Sequence, residues 1–218
     1  MPEADIYQFL SDYFPLRRER VVVELGANRG TDTSKMIRLL KPPFQYYAFE
    51  PDPRHWEKLQ KLEKALGFQL IKQAVGAVDG QAKFWLSCGK RTPEEDEHED
   101  SSSLMTPTGI TEKYPWMYFR PITVPVLTLD AFCTQENISR IDFLWADVQG
   151  AEREVIRGGQ ETFRRVAYFY TECYRDRVYY QEQPTLDEIL RILPGQWEIV
   201  FRAATDVLLK NTEWVEDE

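Results

Sequence analysis

The sequence predicts an α/β fold: a mostly parallel sheet with helices on both faces, closed by an antiparallel hairpin. Three observations predict it. Short apolar runs alternate with segments of helical periodicity along most of the chain. The first two runs each end in an acid, Glu24 and Glu50, and Glu50 follows Gly30 by twenty residues, the arrangement with which α/β proteins hold a ribose. The last two runs, 197–202 and 206–209, are separated by only a short turn.

Taken in order, residues 4–14 place Ile6, Phe9, Leu10, Tyr13 and Phe14 at helical spacing, an amphipathic leading helix. Val21–Leu25 reads as a buried strand. Thr31 and Thr33 are candidate caps for a helix over 32–40, stopped by Pro42 and Pro43. Phe44–Phe49 is the second strand. Asp52 and Pro53 read as N-cap and first position of a helix ending near Gly67. Strands follow at 68–73 and, after the turn Asp79-Gly80, at 81–86. The segment 88–120 breaks the alternation. From Glu94 to Asp100 it carries six acids in seven residues, which reads as a solvated, mobile loop. Strands return at 122–127, 141–146 and 166–172, with helices near 129–135 and ending near Arg157. Thr185-Leu-Asp-Glu188 is a capping box for a helix to about Leu193.

A chain of 218 residues, 43% hydrophobic and 13% aromatic, suffices for one well-filled domain over 1–218, with an insertion at about 88–120. The net charge of −9 opposes polyphosphate partners, so nucleic acid is not the expected substrate. Cys88, Cys133 and Cys173 are odd in number and widely spaced, as in a reduced, cytoplasmic protein. No apolar run approaches eighteen residues, so neither a membrane span nor a signal peptide is expected. A homo-oligomer stays open, since the leading helix has two places to pack.

In open parallel sheets, ligands bind beyond the carboxyl ends of the strands. That rule selects Glu24–Gly30, Glu50, Gln73–Val75, Asp147 and Glu172, and all but the third of these strand ends carry an acid. The turn Glu24-Leu-Gly26-Ala27-Asn28-Arg-Gly30 is not the GxGxxG that a dinucleotide pyrophosphate requires. Its glycines suit a close backbone approach to a ligand, and Asn28 tolerates left-handed geometry. Glu50 can accept two hydrogen bonds from a ribose 2′,3′-diol. Glu24 is placed to face a ligand ammonium, directly or through water. An acid-rich pocket of this kind suits S-adenosyl-L-methionine, which carries a sulfonium and an ammonium.

The segments ELGANRG, FEPDP, AVGAVDG, SSSL, VPVLTLD and DVQGAEREVIRGG, in that order, resemble the FkbM family of S-adenosylmethionine-dependent methyltransferases over residues 20–173. The resemblance implies a Rossmann-like class I methyltransferase fold, with seven strands and the last antiparallel. It implies O-methylation of a small hydroxylated acceptor such as a sugar or polyketide, with S-adenosyl-L-homocysteine as product. By position it places Glu24, Gly26, Ala27, Asn28 and Gly30, with Thr31 at the helix start, along the methionine and ribose. Glu50 falls on the ribose with Pro51 beside it, and Ala74 and Val75 against adenine. The departure is Gln149, where the family has Glu.

Methyl transfer needs alignment and a proton acceptor for the hydroxyl. His98 lies in the acidic loop and His55 is expected on the outer face of its helix, so neither is the expected base. Asp147 and Glu172 end two strands that should be neighbours. Asp147 is therefore the expected proton acceptor or orienting carboxylate, with Glu172 its partner. The alternative has Glu172 paired with Arg175 or Arg177. No residues show tight metal-ligand spacing, and no metal is expected. Cys173 lacks an activating histidine and reads as a structural thiol. Tyr114, Trp116, Tyr118 and Phe119, like Tyr174, Tyr179 and Tyr180, either line an acceptor pocket or pack the insertion. Lys90–Leu104 is a candidate lid. Two competing readings remain: a nicotinamide-dependent oxidoreductase, against which the missing GxGxxG counts, and a non-catalytic binding module, against which Glu50 and the intact glycine turn count.

Overall fold

Strand β1 (Arg20–Leu25) is buried along its whole length, and its alternating side chains set the two halves of the core. A computed structural model describes residues 6–13, 19–40, 42–174 and 179–214. Val21, Val23 and Leu25 face one helical layer; Val22 faces the other. Around β1 the elements are α1 (Ile6–Tyr13), α2 (Thr31–Leu39), β2 (Phe44–Phe49), α3 (Trp56–Leu66), β3 (Gln69–Ile71), β4 (Ala74–Val75), β5 (Gly80–Cys88) and α4 (Ile110–Lys113). They continue with β6 (Tyr118–Leu127), α5 (Leu129–Gln135), β7 (Ile141–Ala146), α6 (Glu152–Arg157), α7 (Gln160–Phe163), β8 (Val166–Glu172), α8 (Leu186–Ile192), β9 (Trp197–Ala203) and β10 (Asp206–Asn211).

The seven-stranded sheet has the order β3-β2-β1-β7-β8-β10-β9. Strands β3, β2, β1, β7 and β8 pair in parallel, and β10 runs antiparallel to both of its neighbours. Side chains of α1, α2 and α3 (Leu10, Met36, Leu59) fill one face of the sheet. Those of α5 to α8 (Phe132, Val155, Phe163, Ile189) fill the other. The leading helix packs on its own sheet, with Phe9 and Tyr168 ring centroids 5.2 Å apart. A second sheet, β4-β6-β5, stands on the edge of the first around Phe84, Leu86, Val124 and Val126.

Local details differ from the sequence reading where a side chain has a better partner. Helix α2 is capped by Gly30 in left-handed geometry, not by Thr31 or Thr33, because the Thr33 hydroxyl bonds Glu24. Helix α3 begins at Trp56 rather than at Asp52-Pro53, since Asp52 spends its carboxylate on Arg54. It ends at left-handed Gly67 as expected. The capping box at α8 is present, with Thr185 N–H donating to Glu188 Oε2 at 2.9 Å. Strand β6 starts at Tyr118, four residues early, because β5 zips against it from Cys88↔Tyr118 to Gly80↔Val126. The short β4 and α7 have too few residues to show a period.

Candidate functional site

Strand register brings the expected ends together. Leu25 pairs with Phe49 on one side and Ala146 on the other, so Gly26, Glu50 and Asp147 emerge side by side. Backbone bonds fasten them: Gly26 N–H and Ala27 N–H both donate to Phe49 O, and Asp147 N–H donates to Leu25 O. The glycines serve the protein before any ligand. A Cβ on Gly26, at φ +92°, would lie 2.1 Å from the Asp147 carbonyl oxygen, and one on Gly30 would meet Leu62 at 2.6 Å. Asn28 takes φ +49°, a conformation Asn tolerates.

Glu50 is buried, and each oxygen receives a backbone N–H: Oε2 from Asn28 at 2.6 Å and Oε1 from Asp52 at 2.7 Å. Burial pushes its carboxyl up to about 8, against the opposing pull of those two bonds. Glu24 lies beneath the turn instead of on a cleft wall. Its Oε2 accepts from Thr33 Oγ1 at 2.6 Å and Tyr46 Oη at 2.8 Å, and burial raises it to about 7.

Two hollows open over these strand ends. The first, with about 610 Å³ of open space, runs from Glu50 and Pro51 to Asp147 and is walled on the apolar side by Ala74, Val75, Phe84 and Leu104. The second, about 670 Å³, lies over Ala27, Thr31, Asp32 and Trp145. They share Gly26, Asn28, Asp100 and Asp147, so they are two ends of one cleft. Asn28 Oδ1 is buried there with no hydrogen-bond partner among the described residues.

The acidic loop roofs this cleft. Arg29 reaches Glu99 at 3.2 Å and Asp100 at 3.9 Å; Arg54 reaches Glu99 at 3.3 Å and the Ser87 carbonyl at 3.0 Å. Asn28 Nδ2 donates to Asp100, and Ser103 forms a bridge with Trp85. Of the run that reads as solvated, Glu99 and Asp100 are therefore docked by two arginines on other elements, while Glu94, Glu95 and Asp96 are exposed as expected. His55 is also corrected: it is buried, at the N-terminus of α3, and lines the first hollow between Asp52 and Glu99. Burial lowers its proton affinity, which leaves it a neutral wall. His98 bonds Ser101 within the loop.

At the β7–β8 end the two expected carboxylates share one amide. Gln149 Nε2 lies 2.6 Å from Asp147 Oδ1 and 3.5 Å from Glu172 Oε2. Glu172 Oε1 accepts from Tyr174 Oη at 2.6 Å and Thr205 Oγ1 at 3.1 Å. Arg175 and Arg177 lie outside the described residues. Surrounding protein and the like charge of Glu172 raise the Asp147 carboxyl to about 7; its surface is open to cleft water, which tempers the burial contribution. Cys173 is buried and its thiol is pushed up to about 11, as a structural thiol should be. Trp116, Phe119, Tyr179 and Tyr180 pack around Ile110 and Met117, while Tyr114 and Tyr118 are exposed, so the aromatic run stabilises the insertion and lines neither hollow.

Glu99, Asp100 and Trp145 are wall residues that the strand-end rule does not select, and Arg54 anchors the roof without lining either hollow. Arg29 falls inside the selected Glu24–Gly30, where the sequence assigns it no role. Among the described residues no group of three or more His, Cys, Asp or Glu is arranged to hold a metal, and no helix is long and apolar enough to cross a membrane.

Residues 24–203 match the family model described as the Methyltransferase FkbM domain. A curated relative, the 2-O-methyltransferase NoeI of Sinorhizobium fredii, is 35% identical over 199 residues, covering 88% of this chain and 80% of its own length. A solved methyltransferase FkbM from Methylobacillus flagellatus KT is similar in fold, with TM-score 0.55 and 15% identity over 92% of this chain. The chain spans about half, 47%, of that protein's length. The METTL16 methyltransferase domain is similar at TM-score 0.50 and 12% identity, over 96% of this chain and 67% of its own.

Proposed function

The chain belongs to the FkbM methyltransferase family, and on that premise we propose that it transfers a methyl group from S-adenosyl-L-methionine to a hydroxyl of a small, neutral acceptor such as a sugar. The observation that carries this is the two-ended cleft meeting at Asp147. Its chemistry fits the cofactor. The first hollow offers an apolar slot for a purine and the Glu50 carboxylate for a ribose diol. The second offers Asp32 and Asp100 to a cationic amino-acid end, and Asn28 Oδ1 is an unused acceptor beside them. A dinucleotide pyrophosphate would meet those same carboxylates, which counts against a nicotinamide enzyme.

When bound, the cofactor supplies an electrophilic methyl carbon on a good leaving group. The protein's part is alignment and proton removal. Gly26, Ala27, Asn28 and Thr31 shape the cofactor floor; Glu50, Pro51, Ala74 and Val75 hold the nucleoside; Glu24 and Gly30 act from behind, bracing the turn through Thr33, Tyr46 and Leu62. Asp147 stands where the hollows join and takes or orients the hydroxyl proton, with Glu172 as its neighbour. Its raised proton affinity suits a base working near neutral pH. No metal is assigned, because the Gln149 amide nitrogen, a hydrogen-bond donor, already spans the two carboxylates. The whole of 1–218 is read as one methyltransferase unit, with 88–120 its insertion and 90–104 its cover.

Calorimetry with S-adenosyl-L-homocysteine tests the reading, and no binding at high micromolar ligand overturns it. A screen of methyl pyranosides and hydroxylated aromatic compounds, read as radiolabel transfer, then identifies the acceptor. Asp147→Asn should retain homocysteine-product binding and lose turnover.

A further inference from the structure

We propose that Gln149 is a positioning residue for the proton acceptor: its side-chain amide ties Asp147 to Glu172 and keeps Asp147 turned into the junction of the two hollows. This rests on the methyl-transfer reading of the same site.

The backbone gives the first argument. Gln149 is held at φ +53° and is followed by Gly150 at φ +91°. A glycine would take the first of these conformations without strain, and an L side chain takes it only under constraint from its surroundings. That constraint is visible. The Gln149 carbonyl accepts from Ser103 Oγ at 2.8 Å, and its Oε1 lies 3.3 Å from Tyr180 Oη. Tyr180 is itself fixed by donating to the Ser101 carbonyl at 2.6 Å and by packing on the face of Gly150. A side chain strained in its backbone and gripped from behind by the insertion presents both of its amide hydrogens to carboxylates.

The second argument is chemical. A neutral amide offers two donors, to Asp147 and Glu172, from one side chain of this length. Glutamate would be isosteric yet would place a third carboxylate against the pair. Asp147 already faces many acids: Glu24 on β1, Asp32 on α2, Glu152 on α6, Glu172 on β8 and Asp206 on β10. Tyr170, Tyr174 and Tyr180 also face it, and Arg29 with Asp100 lines the adjoining hollow. Among these, the Gln149 amide is the contact that favours an ionised Asp147 by direct hydrogen bonding.

The test is a ¹³C carboxyl NMR titration of Asp/Glu-labelled full-length protein, with the Asp147 signal assigned by Asp147→Asn. Gln149→Gly keeps the left-handed turn and removes the amide; Gln149→Glu keeps the shape and reverses the interaction. The expected result is a rise in the Asp147 midpoint of roughly one pH unit in Gln149→Gly and more in Gln149→Glu. Both should melt as cooperatively as the native protein. Midpoints unchanged in Gln149→Glu, which preserves volume if the glycine variant misfolds, overturn the proposal and leave Gln149 a turn residue. Failure of the native protein to bind S-adenosyl-L-homocysteine would instead refute the methyl-transfer reading, and the titration would still decide the Asp147 contact.

Discussion

The carbonyl oxygen of Asp147 stands where any side chain on residue 26 would begin, 2.1 Å from a Cβ built on Gly26. The central strand and its neighbour therefore finish in direct backbone contact, and this contact sets the spacing between the Gly26 turn and Asp147. Gly26→Ala combines that clash with a left-handed φ and should cost about 3 kcal/mol. The melting temperature should fall by roughly 6–12 °C. A variant melting within a degree or two of the native protein would show that the strand ends can part freely.

Glu50 receives backbone N–H bonds on both carboxylate oxygens, so its orientation is fixed before any ligand arrives. Glu50→Gln must turn an NH₂ towards one of those N–H groups. Affinity for S-adenosyl-L-homocysteine should drop about 10- to 100-fold, the worth of a lost hydrogen-bond acceptor facing a buried diol. Calorimetry measures it, and an unchanged affinity removes Glu50 from the ribose.

Glu99 joins Arg29 on the glycine turn to Arg54 ahead of α3. Glu99→Gln should loosen the roof without unfolding the sheet. Amide hydrogen exchange across 89–103 should quicken while β1, β7 and β8 remain as protected as before. Uniform exchange rates in variant and native protein would mean that the arginines do not hold the loop.

Three acids, Glu24, Glu50 and Glu152, are raised by burial from an ordinary 4.5 to about 7, 8 and 8. Between the ordinary and the raised values the folded chain holds more protons than the unfolded one. Their contribution is complete below pH 4.5 and is lost as pH climbs through 7 to 8. Scanning calorimetry of the ligand-free protein should show the melting temperature falling from pH 5.5 to 8.5, a window of about three units around the raised values. A rising trend over that range contradicts the assignment.

The fold was legible because its signals are local. Apolar runs such as Val21–Leu25 and Ile141–Ala146 are buried on both faces and say so in their composition. The rule that ligands bind at strand ends selects Glu50 and Asp147, and the structure sets both on one cleft. Partners far apart in the chain were not legible. Arg29 and Glu99 are seventy residues apart, so Glu99 looks as solvated as its neighbours until the turn and the loop are seen to meet. His55 looks exposed because one helix turn does not reveal the roof above it. Gly26 was rightly singled out, although the atom that demands glycine belongs to Asp147 and not to a ligand.

The hairpin of β5 and β6 is pinned at Cys88↔Tyr118, and everything between those residues leaves and returns through one gate. Such an excursion has the form of a cassette carried on a single hairpin. Glu99 and Ser101 to Ser103 lie inside it yet hold Arg54, Tyr180 and Gln149. A loop grafted in its place without them would take these contacts from Arg54, Tyr180 and Gln149, so the excursion is tethered to the cleft it covers.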